Sequence, residues 1–307
     1  MSLLVVGSVA FDDIETPFGR AERIVGGAGT YIAWAASYFV DGISIVSIVG
    51  EDFPQSELDA LKERGADVSG IKIILGGKSF FWAGKYHHNL NARDTLVTEL
   101  NVLGDFDPKL SATESSSEYV MLGNLTPAIQ KSVIGQMTKR PKVIALDTMN
   151  FWMDIAMNDL KDVLSHIDLL IINDEEARQL SGEYSLVTAS EVITAMGPKY
   201  LVIKKGEHGA LLFGENQVFF APALPLTEVQ DPTGAGDTFA GGLMGFLASR
   251  DHISFEVLKQ GIVCGSAMAS FCVEKFGTEG LRGLDTITVQ NRLDKFTHLV
   301  NFESPIL

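Results

Sequence analysis

Short runs of consecutive apolar residues alternate along this chain with longer stretches whose apolar positions recur every three or four residues. Leu3-Leu4-Val5-Val6 is one such run, closed by Gly7, and Ile43 to Val49 is another. Runs that are apolar at every position predict strands buried on both faces, as in a parallel sheet. Gly26-Gly27-Ala28-Gly29 opens a predicted helix through Thr30 to Phe39; Pro54 starts a second that runs to Arg64, with Gly65 as its C-cap. From Tyr119 the alternation is regular: strand 119–122, helix 127–138, strand 142–146, helix 155–165, strand 168–172, helices 174–181 and 189–196, strand 200–204. Three helices close the chain, at 235–249, 254–273 and 288–298. The repetition predicts an α/β fold, a central mostly parallel sheet flanked by helices on both faces.

Residues 71–101 read differently. Lys72–Leu75, Phe80–Tyr86 and Thr95–Leu100 are β-prone runs separated by Gly or polar turns, the pattern of antiparallel hairpins. With parts of 10–25 they predict a small β-rich lid. No Pro/Gly/Ser-rich linker divides the chain, so residues 1–307 read as a single domain.

Charge narrows the partners. Lys plus Arg number 24 against 39 Asp plus Glu, a formal net charge of −15. A field of that sign repels nucleic acid, so an anionic small molecule must be held by a local site. The 46% hydrophobic content suffices for a large core, yet no apolar run reaches a membrane span. Met1 to Gly7 lacks the basic segment and apolar core of a secretion signal. Cys264 and Cys272 fall eight residues apart on one predicted helix, too far for a disulfide. Two cysteines in a chain this long fit a reducing, cytoplasmic location.

One segment carries the candidate chemistry. Asp231-Pro232-Thr233-Gly234-Ala235-Gly236-Asp237-Thr238-Phe239-Ala240-Gly241-Gly242 reads as a glycine-bearing turn running into a helix. Gly234 and Gly236 let the chain bend and bring amides close to a ligand. The unpaired N–H groups and positive dipole end of the helix then favour an anion. Asp237 sets a carboxylate beside that anion, where it can take a proton from an attacking hydroxyl. Asp at this position also favours a helix N-terminus in its own right; turn and Asp alone leave both roles open.

The pattern Asp-x-Thr-Gly-Ala-Gly-Asp-x-Phe-x-Gly-Gly closely resembles the C-terminal signature of the ribokinase-like, or PfkB, family of carbohydrate kinases. The resemblance extends over nearly all of the 307 residues. It implies a ribokinase-like fold with the layout above, and an ATP-dependent sugar kinase with Mg²⁺. In it Asp237 is the base, and the main chain of Gly234, Ala235 and Gly236 holds the developing negative charge. The nucleoside-kinase branch of the same family is the alternative. A non-catalytic ligand-binding protein on a kinase fold is the rival class, and the retained Asp237 with its intact turn argues against it.

The resemblance also assigns the substrate and nucleotide sites. Gly7-Ser8-Val9-Ala10-Phe11-Asp12 is similar to the first-strand motif whose Asp bonds sugar hydroxyls, by position Asp12; taken locally, Asp12 and Asp13 read as solvated turn residues. Gly26, Gly27 and Tyr31 fall on the Gly-Gly-x-Gly-x-Asn segment, with Tyr31 in place of Asn, and Ala10 stands where ribokinases carry Asn. Asp147 and Asn150 fall on an Asp-x-Asn-x-Arg segment in which Trp152 replaces the Arg, the natural fork for a substrate phosphate. Asn173 and Glu176 match an Asn-x-x-Glu motif implicated in Mg²⁺ and phosphate positioning through water, with Glu176 as the metal-side residue. The same pair is a capping box in form, and both roles stay open. Gly206 and Gly209 fit a hairpin that borders the nucleotide, with Lys204 or Lys205 near the phosphates and Lys205 taken as the contact. Gly265 belongs to a small-residue helix that faces adenine in the family, although core packing explains it nearly as well. Asp231 and Thr233 match positions that bind K⁺ in some members. The aromatics Phe80, Phe81, Trp82 and Tyr86 of the lid suit three uses: stacking on a nucleobase, flanking a sugar, or packing against the second subunit of a homodimer.

Competing motifs are missing. Gly77-Lys78-Ser79 has Lys72 where a P-loop needs its first Gly. No G-x-G-x-x-G follows the first strand and no G-x-S-x-G occurs. The six His residues show no zinc spacing.

Overall fold

The computed structural model describes residues 1–301. The chain starts with β1 (Leu3–Val6), makes a hairpin of β2 (Ala10–Thr16) and β3 (Gly19–Gly26), and enters α1 (Ala28–Ala36). β4 (Ile43–Gly50), α2 (Gln55–Glu63), β5 (Ala66–Asp67) and β6 (Ile71–Ile74) follow, then a second hairpin of β7 (Phe80–Tyr86) and β8 (Arg93–Glu99). Next come β9 (Tyr119–Leu122), α3 (Pro127–Gly135), β10 (Val143–Asp147), α4 (Asn150–Ile155), α5 (Met157–Leu164), β11 (Leu169–Asn173) and α6 (Asp174–Ser181). α7 (Leu186–Thr194), β12 (Tyr200–Lys204), β13 (Ala210–Gly214), β14 (Gln217–Ala221), α8 (Ala235–Ala248), α9 (Phe255–Cys272) and α10 (Thr286–Val300) complete it.

The apolar runs form the middle of a 10-stranded sheet, ordered β14-β13-β12-β11-β10-β9-β1-β4-β5, with β6 also paired to β4. From β12 to β5 the pairs are parallel; β13 and β14 are antiparallel additions at one edge. Successive residues of a strand face opposite sides, so the runs feed two cores. Leu3, Val5, Tyr119 and Met121 pack with α1, α8 and α9 on one face. Leu4, Val6, Val120 and Leu122 pack with α3, α5 and α6 on the other. Burial on both faces is why these strands are apolar throughout. Among the described residues no helix is long and apolar enough to cross a membrane.

A second, 4-stranded sheet has the order β3-β2-β7-β8. It differs from the expected set of hairpins in two ways. β2 and β7 pair in parallel, joining the two hairpins side by side. The run at 71–74, expected in this small sheet, instead pairs with Ser47–Gly50 of β4. β5 covers only Ile43 and Ser44 of that strand, so the rest of its edge needs another partner for its N–H and C=O groups. The helix expected at 155–165 is α5, and a short helix that was not expected, α4, precedes it; the two are separated at Ala156, where φ −142 and ψ 33 leave the helical region.

Candidate active site

Asp147, Asn173 and Lys204 are the last residues of β10, β11 and β12. They stand together at the carboxyl edge of the parallel strands, where open α/β sheets bind ligands. The start of α8 faces them. Its N-cap Gly234 takes φ +73, and a Cβ there would lie 2.4 Å from the Tyr31 ring, so only glycine fits. The N–H of Ala235 is donated to the Pro232 carbonyl at 3.2 Å, which removes Ala235 from the expected anion hole. The N–H groups of Gly236 and Asp237 have no partner among the described residues. These two amides, with the positive end of α8, are what an anion would meet.

Lys204 stands beside those amides. Its Nζ lies 3.5 Å from Oδ1 of Asp147 and would be 2.9 Å from a Cβ on Gly236. Burial works against the Lys204 charge, but the Asp147, Glu176 and Asp237 carboxylates outweigh it and its pKa is raised. Those carboxylates are themselves shifted. Burial, then the Asp147 charge, pushes Asp237 up to about 7 against the pull of Lys204 and Arg93. The same two causes raise Glu176 to about 7. Asp147 is raised by burial, with Lys204 opposing. A carboxyl held near neutrality beside an anion hole suits a general base.

Asp12 reaches the same space from β2. It is 5% exposed, and burial, then Asp231, Asp237 and Asp13, push it up to about 8, while the Gly27 amide opposes. Gly26 makes room for it: a Cβ there would sit 1.9 Å from Oδ2 of Asp12. Gly27, at φ +89, would bring a Cβ within 2.5 Å of the Ser8 carbonyl. Asp13 takes a different part, accepting from the Arg23 N–H at 2.6 Å inside the hairpin.

Other expected residues lie elsewhere or serve the fold. Tyr31, expected against substrate, is 1% exposed beneath Gly234, and its hydroxyl has no partner. It props the glycine turn. Asn150 donates to Oε1 of Gln179 and so ties α4 to α6. Trp152 donates its Nε1–H to Oδ1 of Asn124 at 2.8 Å, where an Arg would have offered a cation. The Lys205 N–H closes the turn on the Gly209 carbonyl at 2.7 Å; it is Lys204 whose side chain reaches the site. Gly206 and Gly209, at φ +53 and +87, shape that turn, and a Cβ on Gly206 would be 2.7 Å from Oδ1 of Asn91 at the tip of the β7–β8 hairpin. Gly265 sits in the α8–α9 contact, where a Cβ would be 2.6 Å from the Phe239 carbonyl. Packing of the two helices accounts for it.

The metal positions divide. Asn173 and Glu176 form the capping box in full: Oδ1 of Asn173 accepts from the Glu176 N–H, and Oε2 of Glu176 from the Asn173 N–H, both at 2.8 Å. Oε1 of Glu176 accepts no hydrogen bond among the described residues. Among the described residues no group of three or more His, Cys, Asp or Glu could hold a metal by itself. A single leftover carboxylate oxygen suits Mg²⁺ held mainly by phosphates and water. At the two positions matched to K⁺, Asp231 and Thr233 also make contacts within the protein. Asp231 is 0% exposed and its two oxygens accept the N–H groups of Thr233 and Gly277, at 2.8 and 3.1 Å. The Thr233 hydroxyl donates to the Tyr86 hydroxyl at 3.2 Å. Both residues staple the glycine turn to its neighbours.

Sequence reasoning named Lys204 only as the alternative to Lys205 and missed Arg93. A charged residue ending the apolar run Tyr200–Ile203 was the available signal for Lys204. Nothing local marks Arg93, which acts on Asp237 and Glu176 from the other sheet.

Known proteins resemble this chain in sequence and fold. The chain is 29% identical to the cytidine kinase of Thermococcus kodakarensis over 252 residues, 80% of this chain and 87% of that one. It is 28% identical to the 2-dehydro-3-deoxygluconokinase of Thermoproteus tenax over 235 residues, 72% of each. The fold matches that of aminoimidazole riboside kinase from Salmonella enterica, solved with aminoimidazole riboside and an ATP analogue, at TM-score 0.75 and 18% identity over 95% of this chain and 100% of that one. The pfkB family carbohydrate kinase model matches residues 3–282, and this chain, a kinase by that relationship, belongs to that family.

Proposed function

We propose that this protein transfers the γ-phosphoryl group of ATP to a hydroxyl of a sugar-bearing small molecule, a nucleoside before a free sugar. The observation that carries the reading is the head of α8. There an Asp237 carboxyl at about 7, two unpartnered amides and the Lys204 ammonium converge. In this reading Asp12 accepts from substrate hydroxyls and turns one toward Asp237. Asp237 takes the proton as that oxygen attacks in line. The Gly236 and Asp237 amides and Lys204 hold the charge that gathers on the transferred group. Oε1 of Glu176 would help to hold Mg²⁺, which would supply neutralisation of the nucleotide phosphates. The small sheet acts as the lid of the one domain. Its Asn91 meets the Gly206 turn and its Tyr86 meets Thr233, contacts that would keep water out.

The preference for a nucleoside rests on the relatives named for cytidine and aminoimidazole riboside, and on Trp152 in place of a cation. A sugar acid, as in the name of the Thermoproteus relative, is the second reading. Arg93 favours it, because no carboxylate lies within salt-bridge distance of that guanidinium among the described residues. ADP release from Mg-ATP, scored over a panel of nucleosides, sugars and sugar acids, tests the proposal. No release with any acceptor would remove the kinase reading.

Two further points belong here. β8 is an edge strand exposed along its length, with Leu96 at 58% and Val97 at 39%, and we read it as the face on which a second copy pairs. Two free, buried cysteines suit the reducing cytoplasm.

A further inference from the structure

Strand register decides which side chains of the small sheet share a face with Asp12. β2 and β7 run parallel, with Ala10 opposite Phe80 and Asp12 opposite Trp82. Residues paired across neighbouring strands point the same way, so Trp82 stands beside Asp12. On the other side Gly84 is opposite Thr95 and Tyr86 is opposite Arg93. Tyr86 bonds Thr233 in the glycine turn, so this is the face that looks onto the anion hole.

The Trp82 indole does not stand up from the sheet. It lies across Gly84, where a Cβ would be only 2.0 Å from its Cη2 and 2.4 Å from its Cζ2. The register slips beside it, where β8 carries the extra residue Leu96 between the partners of Ala83 and Gly84. Nε1 is directed to Oγ1 of Thr95 at 3.4 Å, and the Arg93 guanidinium carbon stands 5.9 Å from the ring centroid. One ring face rests on the glycine main chain, and the side chain as a whole is only part-buried. The outcome is a flat apolar shelf with its one polar atom turned aside, a hydroxyl acceptor on one flank and a cation on another.

We infer that Trp82 is the platform for a planar ring of the substrate, with Gly84 as the notch that lets it lie flat, so that the substrate class is a nucleoside. A bare sugar offers an indole only its C–H faces, and its hydroxyls still need partners elsewhere. A nucleobase gives up little there, because each of its faces is a π surface. Asp12 then meets the ribose hydroxyls, and the Arg93 donors lie at the rim of the base. This inference rests on the kinase reading of the same site.

The test is steady-state kinetics with Mg-ATP and three acceptors, cytidine, adenosine and ribose, on the wild type, Trp82→Ala, Trp82→Phe and Gly84→Val. At least one nucleoside is expected to exceed ribose in kcat/KM. Trp82→Ala should cut that nucleoside-to-ribose ratio by roughly 5- to 150-fold, the worth of a base stacked on an aromatic ring. Trp82→Phe should restore most of it, and Gly84→Val should lower it while keeping the indole. A merely structural role would depress every acceptor alike and leave the ratio unmoved. Ribose as the best wild-type acceptor, or an unchanged ratio in both Trp82→Ala and Gly84→Val, overturns the platform and leaves the kinase intact. Calorimetric titration with the same nucleosides separates the other case. Binding that is lost in Trp82→Ala, with no phosphoryl transfer to any acceptor, upholds the platform and removes the kinase reading.

Discussion

Nζ of Lys204 lies 3.5 Å from Oδ1 of Asp147, joining the ends of β12 and β10 across β11 and holding a cation at the head of α8. The pair is buried, so its members are not interchangeable with apolar residues one at a time. Lys204→Met should raise the KM for ATP by about tenfold or more, as expected for losing a hydrogen bond to a charged group worth ~1.5–3 kcal/mol. Lys204→Arg should recover part of that loss. A KM for ATP unchanged in Lys204→Met would remove the cation from the phosphate site.

Asp237 must be ionised to accept a proton. With its carboxyl at about 7, kcat/KM should climb as pH rises through that value and level off above it. Because the Lys204 charge is among the forces holding that pKa down, Lys204→Met should move the midpoint to higher pH. Asp237→Asn should lower turnover by about 10²-fold or more, while ADP binding holds or tightens, since a negative charge leaves the anion site. An Asn variant of near wild-type turnover would end the base assignment.

Asp12 makes the stability of the fold depend on pH. Its carboxyl rises from 3.8 in the unfolded chain to about 8 in the fold. Between those values the fold holds a proton that the unfolded chain has released. Its contribution is therefore fullest below pH 3.8 and is lost as pH rises through about 8. Asp12→Asn removes the charge, so it should raise the thermal midpoint of the ligand-free protein more at pH 8 than at pH 5. The same variant should bind its substrate less well. Equal shifts at the two pH values would show that Asp12 is not held protonated.

Two glycines of one turn should respond differently. Gly234→Ala forces a side chain into φ +73 and against the Tyr31 ring at 2.4 Å. That costs about 1–2 kcal/mol for the backbone and ~1–3 kcal/mol for overpacking, so the thermal midpoint should fall. Gly236→Ala meets only the mobile end of Lys204 at 2.9 Å. Its fold should hold, since Ala is the better helix residue, while the KM for ATP rises as Lys204 is displaced. Differential scanning calorimetry with kinetics on both variants separates them; similar losses of stability would refute the contrast.

The amino-acid sequence by itself determined the parallel sheet and the glycine turn. Strands such as Leu3–Val6 and Tyr119–Leu122 are apolar at every position because both faces are buried, and that signal is local. The turn at Gly234 and the capping box of Asn173 and Glu176 are likewise written within a few residues of each other. Tertiary structure decided what depends on partners far along the chain. Ile71–Ile74 is as β-prone as its neighbours, but only the uncovered edge of β4 places it in the large sheet. Adjacent lysines at 204 and 205 look alike in sequence; the position of Lys204 at the end of β12, across from Asp147, selects it. Tyr31 looked like a substrate contact until α8 packed over it. The near-neutral carboxyls of Asp237 and Glu176 arise only when burial strips their water and strand ends bring Asp147 beside them, because desolvation and charge proximity belong to the assembled fold and to no stretch of sequence.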